Sequence, residues 1–558
     1  MKERYIAWME AALSAYSNEH LAAFVEEEKR EGISDHSFAR LTSNIGILIS
    51  HGRRRDLLPI FLEMMDFCCY CTPRFQIESD FSVREIVNCL QAVEDAGVVD
   101  AERIKVWRKE IASIEPYSCY RMIAKDPDEV LFNWALFTAV SEYRRNVAGL
   151  GDTAEIIDIQ LATQLKHLDE NGMYRDAVDS APMLYDLVSR GLFSILLRLG
   201  YSGKYRNMLD GIIKNAALLS LKMQSVTGEI PFGGRSNQFI HNEAWLAVIF
   251  EYEAARYARE GNAELAGKYK AAVYRALERV DEWLTKDPIY HIKNRFPTET
   301  KYGCEKYAHF NGYMIAVASV LYEAYLSCDD SIAAGEFDTS PVAWQSSEYF
   351  HTVFLRAGGY SLEFDTNADP RYDANGLGRV HREGAPSPIC LSMPCTSQPK
   401  YEVDIEKPFA FSVGSALRTE EGWHFAAEET AKYEMLEIKA GKDTAWATFL
   451  CGFENKGAVK EYYTINENGV AIEVKGDGEI AFTLPAFCFD GEITPEITAD
   501  KQCLVVFYKG WSCRYTTDGT ILDLDQVAAN RNGHYRVFAA TAQNTLNVRI
   551  EIVKKETV

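Results

Sequence analysis

The chain has 558 residues, 47% of them hydrophobic and 25% charged, with a formal net charge of -22; it is too long for one ordinary core and has the composition of an ordinary globular protein. That charge argues against nucleic acid or an anionic membrane as the main partner, because both would be repelled by the overall field. The N-terminal stretch MKERYIAWMEAALSAYSNEH carries charges throughout instead of a signal pattern, and no apolar run approaches the ~20 residues needed to cross a bilayer.

Up to about Leu326, apolar residues recur at i, i+3, i+4 and i+7 with Glu, Lys and Arg between them, which predicts helix almost everywhere. The expected spans are 3–30, 36–50, 55–67, 83–96, 101–115, 128–149, 154–168, 182–199, 206–224, 238–260, 262–285 and 308–327, about twelve helices in all. Short links at His51–Arg54, Gly97–Asp100, Gly149–Asp152, Gly200–Tyr205 and Glu260–Asn262 alternate with longer loops. In an up-and-down array of antiparallel helices every second connection lies at the same end, so the long loops are expected to share one face. Six such hairpins are what an (α/α)6 toroid requires, and a toroid is the expected fold of residues 1–335.

Ser327–Pro341 reads as a linker. From about Val342 the texture changes to short alternating segments such as TVFLRAGGYSLEF, TAWATFLCGF, QCLVVFY and LNVRIEIV, separated by Gly, Asn and Asp turns. Without intervening helical patterns, these predict an antiparallel β-sandwich over 336–558, hence an α+β multidomain chain. Thirteen cysteines, an odd number set mostly in apolar stretches, suit reduced core thiols and a cytoplasmic location. Neither the Cys68, Cys69, Cys71 cluster nor the Cys390 and Cys395 pair has a partner pair at zinc-site spacing, so no metal is expected.

Three of the long loops hold most of the unusual chemistry. The first runs from Asp169 to Asp176 through Tyr174, followed by Asp179 and Tyr185-Asp186. The second, TGEIPFGGRSNQFIHNE from Thr227 to Glu243, crowds Arg235, Ser236, Asn237, Gln238, His241, Asn242 and Glu243 into one helix start. A surface turn needs Gly and Pro for its geometry, but it does not need an amide, an imidazole and a guanidinium within one helical turn. The third, from His291 to Asn311, carries Tyr302, Glu305, Tyr307 and His309. Taken singly, each has a structural reading as turn, cap or packing residue; their joint occurrence on one face points to a site. Amides, imidazoles and tyrosines suit the elimination of the substituent at C4 of a uronic acid. The adjacent carboxylate must be neutralised, and a Tyr or His must take the weakly acidic C5 proton. Tyrosine can also return a proton to the leaving oxygen if a nearby cation lowers its pKa from ~10, and no metal or organic cofactor is needed.

Helical toroid followed by antiparallel sandwich resembles the heparinase-like and oligoalginate-lyase-like polysaccharide lyases. That resemblance implies a helix-borne His or Asn on the uronate, here Asn237 or His241. It implies a Tyr from a later hairpin as base and acid, Tyr302 or Tyr307 in YGCEKYAHFNGY, and a His from the β domain, His381 in GLGRVHREGAPSP. The candidate catalytic set is therefore Asn237, His241, Tyr302, Tyr307, His309 and His381. Tyr174, Arg235, Gln238, Asn242, Glu243, Arg379 and Arg382 are the candidate substrate-binding residues, the arginines acting as local receivers in an acidic protein. The expected partner is an imported acidic oligosaccharide; association into a homo-oligomer is left open by the sequence. One alternative is a glycoside hydrolase on the same toroid acting on uronyl or unsaturated oligosaccharides, with carboxylates from Asp176, Asp179, Asp186, Glu243 or Glu305. The other is a non-enzymatic carbohydrate-binding role for the same cleft.

Overall fold

The computed structural model describes residues 1–33, 35–176, 181–285 and 287–555. Among them the helices are α1 (Lys2–Ala12), α2 (Asn18–Glu31), α3 (Ser37–Ser50), α4 (Leu58–Cys71), α5 (Ser79–Asp95), α6 (Ala101–Ala112) and α7 (Pro116–Cys119). They continue with α8 (Trp134–Val147), α9 (Ala154–Leu165), α10 (Met183–Arg198), α11 (Arg206–Met223), α12 (His241–Arg259), α13 (Ala263–Leu284) and α14 (Phe310–Ser327). Two of these fourteen were not expected. The span 3–30 is two helices, because the Ser17 side chain accepts the His20 N–H and starts a second one. The four-residue α7 lies inside the loop that follows α6.

Alternate helices close a ring: α3 packs on α5, α5 on α8, α8 on α10, α10 on α12, α12 on α14, and α14 back on α3. These six are buried nearly all round, as in α12, where every residue from His241 to Ala254 is buried. The remaining long helices lie outside and bury one stripe; α13 covers α12 with Tyr269, Val273, Ala276, Leu277 and Val280. Inner helices end on left-handed glycines such as Gly149 (φ 69°) and Gly261 (φ 79°), a conformation that closes the last turn and reverses the chain within a few residues. The result is the expected (α/α)6 toroid, with the long loops at the starts of the inner helices.

The C-terminal half forms two antiparallel sheets. The smaller has the order β1 (Val342–Gln345), β2 (Thr352–Ala357), β3 (Tyr360–Asp365) and β4 (Gly376–Arg382). The larger has eleven strands and is centred on the long pair Gly469–Phe489 and Gly533–Lys554. The small sheet lies between the large sheet and the toroid, so it is buried on both faces. Its period-2 alternation sends Val353, Leu355, Leu362 and Phe364 into the sandwich core, where Phe364 meets Phe449 at 4.7 Å and Tyr463 at 4.8 Å. The opposite face turns Phe354, Ser361, Glu363 and His381 to the toroid loops. Among the described residues no helix is long and apolar enough to cross a membrane.

Candidate active site

The second loop enters α12 with two non-glycine residues in the left-handed region, Ser236 (φ 57°) and Gln238 (φ 67°). Such conformations cost on the order of 1 kcal/mol or more and persist where the surroundings over-determine them. Here they do. The Ser236 N–H donates to Glu305 Oε1 at 2.6 Å, and Asn242 Nδ2 donates to the Ser236 carbonyl at 3.2 Å. Asn237 Nδ2 donates to the Pro231 carbonyl and Gln238 Nε2 to Asn237 Oδ1. Glu243 accepts from the Ile230 N–H and from Lys293 Nζ at 2.7 Å. Asn237, Gln238, Asn242 and Glu243 are all buried and brace the loop from within; their polar groups are turned to the scaffold.

What the loop presents is Ser236. Its hydroxyl lies 2.9 Å from the Tyr307 hydroxyl, 3.4 Å from that of Tyr185 and 3.5 Å from that of Tyr313. Tyr185 and Tyr313 stand in the first turns of α10 and α14, and His241 opens α12, so three inner helices begin at one spot. The His241 ring meets the Tyr313 ring edge-on at 5.0 Å. Arg235 covers the Tyr185 ring at 4.5 Å and pairs with the buried Asp176, which also accepts from Asn133. A third of the Arg235 side chain stays open to solvent (33%). It is the cation of this cluster that faces outward.

Burial governs the protonation of these groups. It raises the pKa of Tyr185, Tyr307 and Tyr313, so all three phenols are protonated in the free protein; for Tyr307 the neighbouring Tyr185 and Glu305 add to the rise, while Arg531 opposes it. Half of the Tyr307 side chain is nevertheless exposed (52%), and only its hydroxyl end is enclosed. Burial, aided by the Arg40 and His291 charges, lowers His241 to about 3. It is a neutral imidazole whose Nδ1 has no hydrogen-bond partner among the described residues. It therefore neutralises no carboxylate by charge, and any contact it makes to an anion is by hydrogen bonding.

The other expected site residues lie elsewhere. Tyr302 stacks on Phe296 with ring centroids 3.6 Å apart and faces His534 of the β domain, away from Ser236. Tyr174 is buried and donates to Gln164 Oε1 at 2.6 Å. His381 is wedged between the domains, its Nδ1 against the Ser225 and Thr227 hydroxyls and its Nε2 against Ser392. Arg379 is buried against Glu363, and Arg382 donates to the Gly358 carbonyl under a turn. The segment Gly376–Pro388 thus begins as a buried strand, because β4 is covered by the toroid loops. His309 is exposed immediately before α14. Of the alternative carboxylates, Asp186 is paired with Arg190, and Asp179 lies outside the described residues.

Two elements of the β domain complete this face, and neither was singled out from the sequence. The turn Asn530–Gly533 inserts Arg531, wholly buried, whose guanidinium grips Glu305 at 2.7 and 3.0 Å and the Gly303 carbonyl at 2.6 Å. The loop between β3 and β4 closes a cavity of about 400 Å³ against the toroid. Met183, Gly233 and Gly234 line it from one side, and His351, Asp365, Asp369 and Asp373 from the other. As sequence, NRNG and TNADPRYDAN read as turns between strands; only the acid count of the second hinted at more. Among the described residues no group of three His, Cys, Asp or Glu side chains is placed to hold a metal ion.

No family model matches the chain, and no curated protein does. Solved structures do resemble it. A heparinase III structure superposes with a TM-score of 0.50 at 8% identity, covering 90% of this chain and 74% of the other. A heparan sulfate lyase HepC mutant from Pedobacter heparinus gives 0.49 at 9%, covering 93% and 77%. A chondroitin AC lyase of Streptomyces coelicolor A3 gives 0.48 at 12%, covering 98% and 83%. The chain shares the toroid-plus-β-sheet fold of the heparinase III structure; at such identities the likeness extends to architecture alone.

Proposed function

We propose that this protein is a carbohydrate-active enzyme that cleaves uronic-acid-containing oligosaccharides by β-elimination. The observation that carries this reading is the meeting of the Tyr185, Tyr307 and Tyr313 hydroxyls at Ser236, beside the partly open guanidinium of Arg235. In this reading Arg235 receives the uronate carboxylate, which eases removal of the C5 proton. Tyr307 is the phenol most open to solvent and takes that proton, while Ser236 donates a hydrogen bond to the phenolate and accepts from the other two phenols. Because burial keeps the phenols protonated at rest, ionisation of Tyr307 belongs to the substrate complex, where Arg531 favours it. His241 contributes a hydrogen bond from a neutral ring. The unpaired thiols fit a reducing compartment, where imported oligosaccharides are the available substrates.

A second reading, hydrolysis, is favoured by one observation, the Asp365, Asp369 and Asp373 carboxyls that line the adjoining cavity. The two separate cleanly with uronic-acid oligosaccharides. Elimination creates a C=C conjugated to the carboxylate and so a new ultraviolet chromophore; hydrolysis releases reducing ends without one. Reducing ends without absorbance would sink the elimination reading, and saturable binding without turnover would leave a binding protein.

A further inference from the structure

We infer that Asp373 is a catalytic residue, the group that protonates the leaving sugar oxygen from the wall of the interdomain cavity. The inference rests on the reading that this face cleaves glycosidic bonds, but not on whether by elimination or by hydrolysis. Asp373 is 3% exposed, and its two oxygens are unlike. Oδ2 accepts the Gly234 N–H at 2.7 Å, whereas Oδ1 is buried and has no hydrogen-bond partner among the described residues. A bare anionic oxygen there would carry the full cost of desolvation. With its proton on Oδ1, the same carboxyl becomes a donor that lacks only an acceptor.

The loop holds this arrangement. The Asp373 N–H donates to the Asp369 carbonyl at 2.9 Å, and Arg371 pairs with the Asp369 carboxylate at 2.6 Å. Next to it, the Asp365 carboxyl meets His351 Nδ1 at 2.6 Å and accepts the Asn367 N–H at 2.9 Å. His351 itself sits in the left-handed region (φ 42°), a strained conformation that fixes its ring against Asp365. A carboxyl beside another carboxyl holds its proton more tightly. The charged groups around Asp373 act accordingly: burial and Asp365 raise it to about 7, against the pull of the Gly234 N–H, Arg531 and His351, with Tyr401 nearby.

Gly234 and Ser236 are two residues apart, so the carboxyl and the phenol cluster hang from points within about 8 Å of each other along the backbone. That is the reach of a sugar ring with its linking oxygen. In elimination the base takes the C5 proton, the C–H electron pair becomes the C4=C5 bond, the C4–O bond breaks, and the Oδ1 proton moves to the departing oxygen. In hydrolysis the C1–O bond breaks as the same proton moves to the departing oxygen, while water adds at the anomeric carbon and releases its own proton to solvent. In both, Asp373 ends as a carboxylate and is reprotonated from solvent.

Leaving-group dependence in Asp373→Asn tests this. Asn preserves an acceptor for the Gly234 N–H, and thermal unfolding checks the fold. The probes are a uronic-acid disaccharide and two activated uronosides, with 2,4-dinitrophenolate at C4 for elimination and at C1 for hydrolysis, since that anion leaves without a proton. Loss on the order of 100-fold or more is expected on the disaccharide. Wild-type-like turnover is expected on the activated probe, together with disappearance of the fall in kcat/KM above pH about 7 that wild type should show as Asp373 ionises. Equal loss on both probes, or loss on neither, overturns the acid role while leaving cleavage standing. Wild type that cleaves none of the three overturns the functional reading, and this inference with it.

Discussion

Tyr302 and Tyr307 stand five positions apart in one loop, yet one is a packing residue between domains and the other touches the Ser236 hub. Tyr307→Phe is expected to reduce cleavage on the order of 100-fold or more with little change in thermal stability, because only a hydroxyl is removed. Tyr302→Phe should leave activity near wild type; equal losses in both would remove Tyr307 from the chemistry. Arg235→Ala is expected to raise KM for uronic-acid substrates and to make binding less sensitive to salt, as an electrostatic receiver should. Composition singles out loops that the fold does bring together, but not which of their side chains meet. Asn237, Gln238 and Asn242 look like ligand chemistry in a one-dimensional reading, and it takes the left-handed turn at Ser236 to show that they are the bracing and the serine is the point of contact. Asp373 was illegible for a different reason: its character comes from Gly234, Asp365 and His351, which are eight to 139 positions away.

The helices were legible because their stop signals are local. A left-handed glycine ends an inner helix at Gly149 and Gly261 whatever the partner, and the 3.6-residue stripe follows from burial on one side. The split at Ser17 was missed because its capping bond interrupts a continuous amphipathic pattern. Strands β2 to β4 carried an unusual message, polar residues alternating within strands buried at all but one position, which makes sense only once the small sheet is sandwiched between two other layers. Helix α12 also offers a test of stability. Glu253 is buried, its oxygens accept no hydrogen bond among the described residues, and Arg256 is 3.5 Å away. Burial is the main cause of a pKa raised to about 8, partly offset by Arg256 and reinforced by Asp210. A carboxyl whose folded pKa exceeds its unfolded value of ~4.3 supports the fold below that value and loses that support as pH rises through the folded pKa. Wild type should therefore lose thermal stability relative to Glu253→Gln between pH 5 and pH 8, and a constant difference across that range would contradict the assignment.

Between the two halves runs a clasp of buried polar groups: Arg531 on Glu305, Arg379 on the Ile230 carbonyl, His381 on Ser225. Removing one partner of such a pair strands a charge in the interior. Arg531→Met is expected to cost about 3–5 kcal/mol, and adding Glu305→Gln should recover much of it. Unfolding of the single and double variants measures this, and a double variant no better than the single one would show that the pair does not couple the domains. The order of toroid then sandwich was readable from the change in period near Val342. How the second half grips the first was not, because the grip is made by a hairpin turn whose sequence, Asn530-Arg531-Asn532-Gly533, is that of any surface hairpin.

Because α10, α12 and α14 all begin at the Ser236 cluster, three peptide-dipole ends point the same way there, each worth roughly half a positive charge. A dipole of this kind has no proton to lose. An arriving anion meets a field that persists across pH and through the loss of any one side chain, in a chain whose 81 acidic residues outnumber its 59 basic ones. The surplus negative charge and the positive field at this cluster thereby belong to different parts of the covalent structure, the first to side chains and the second to backbone.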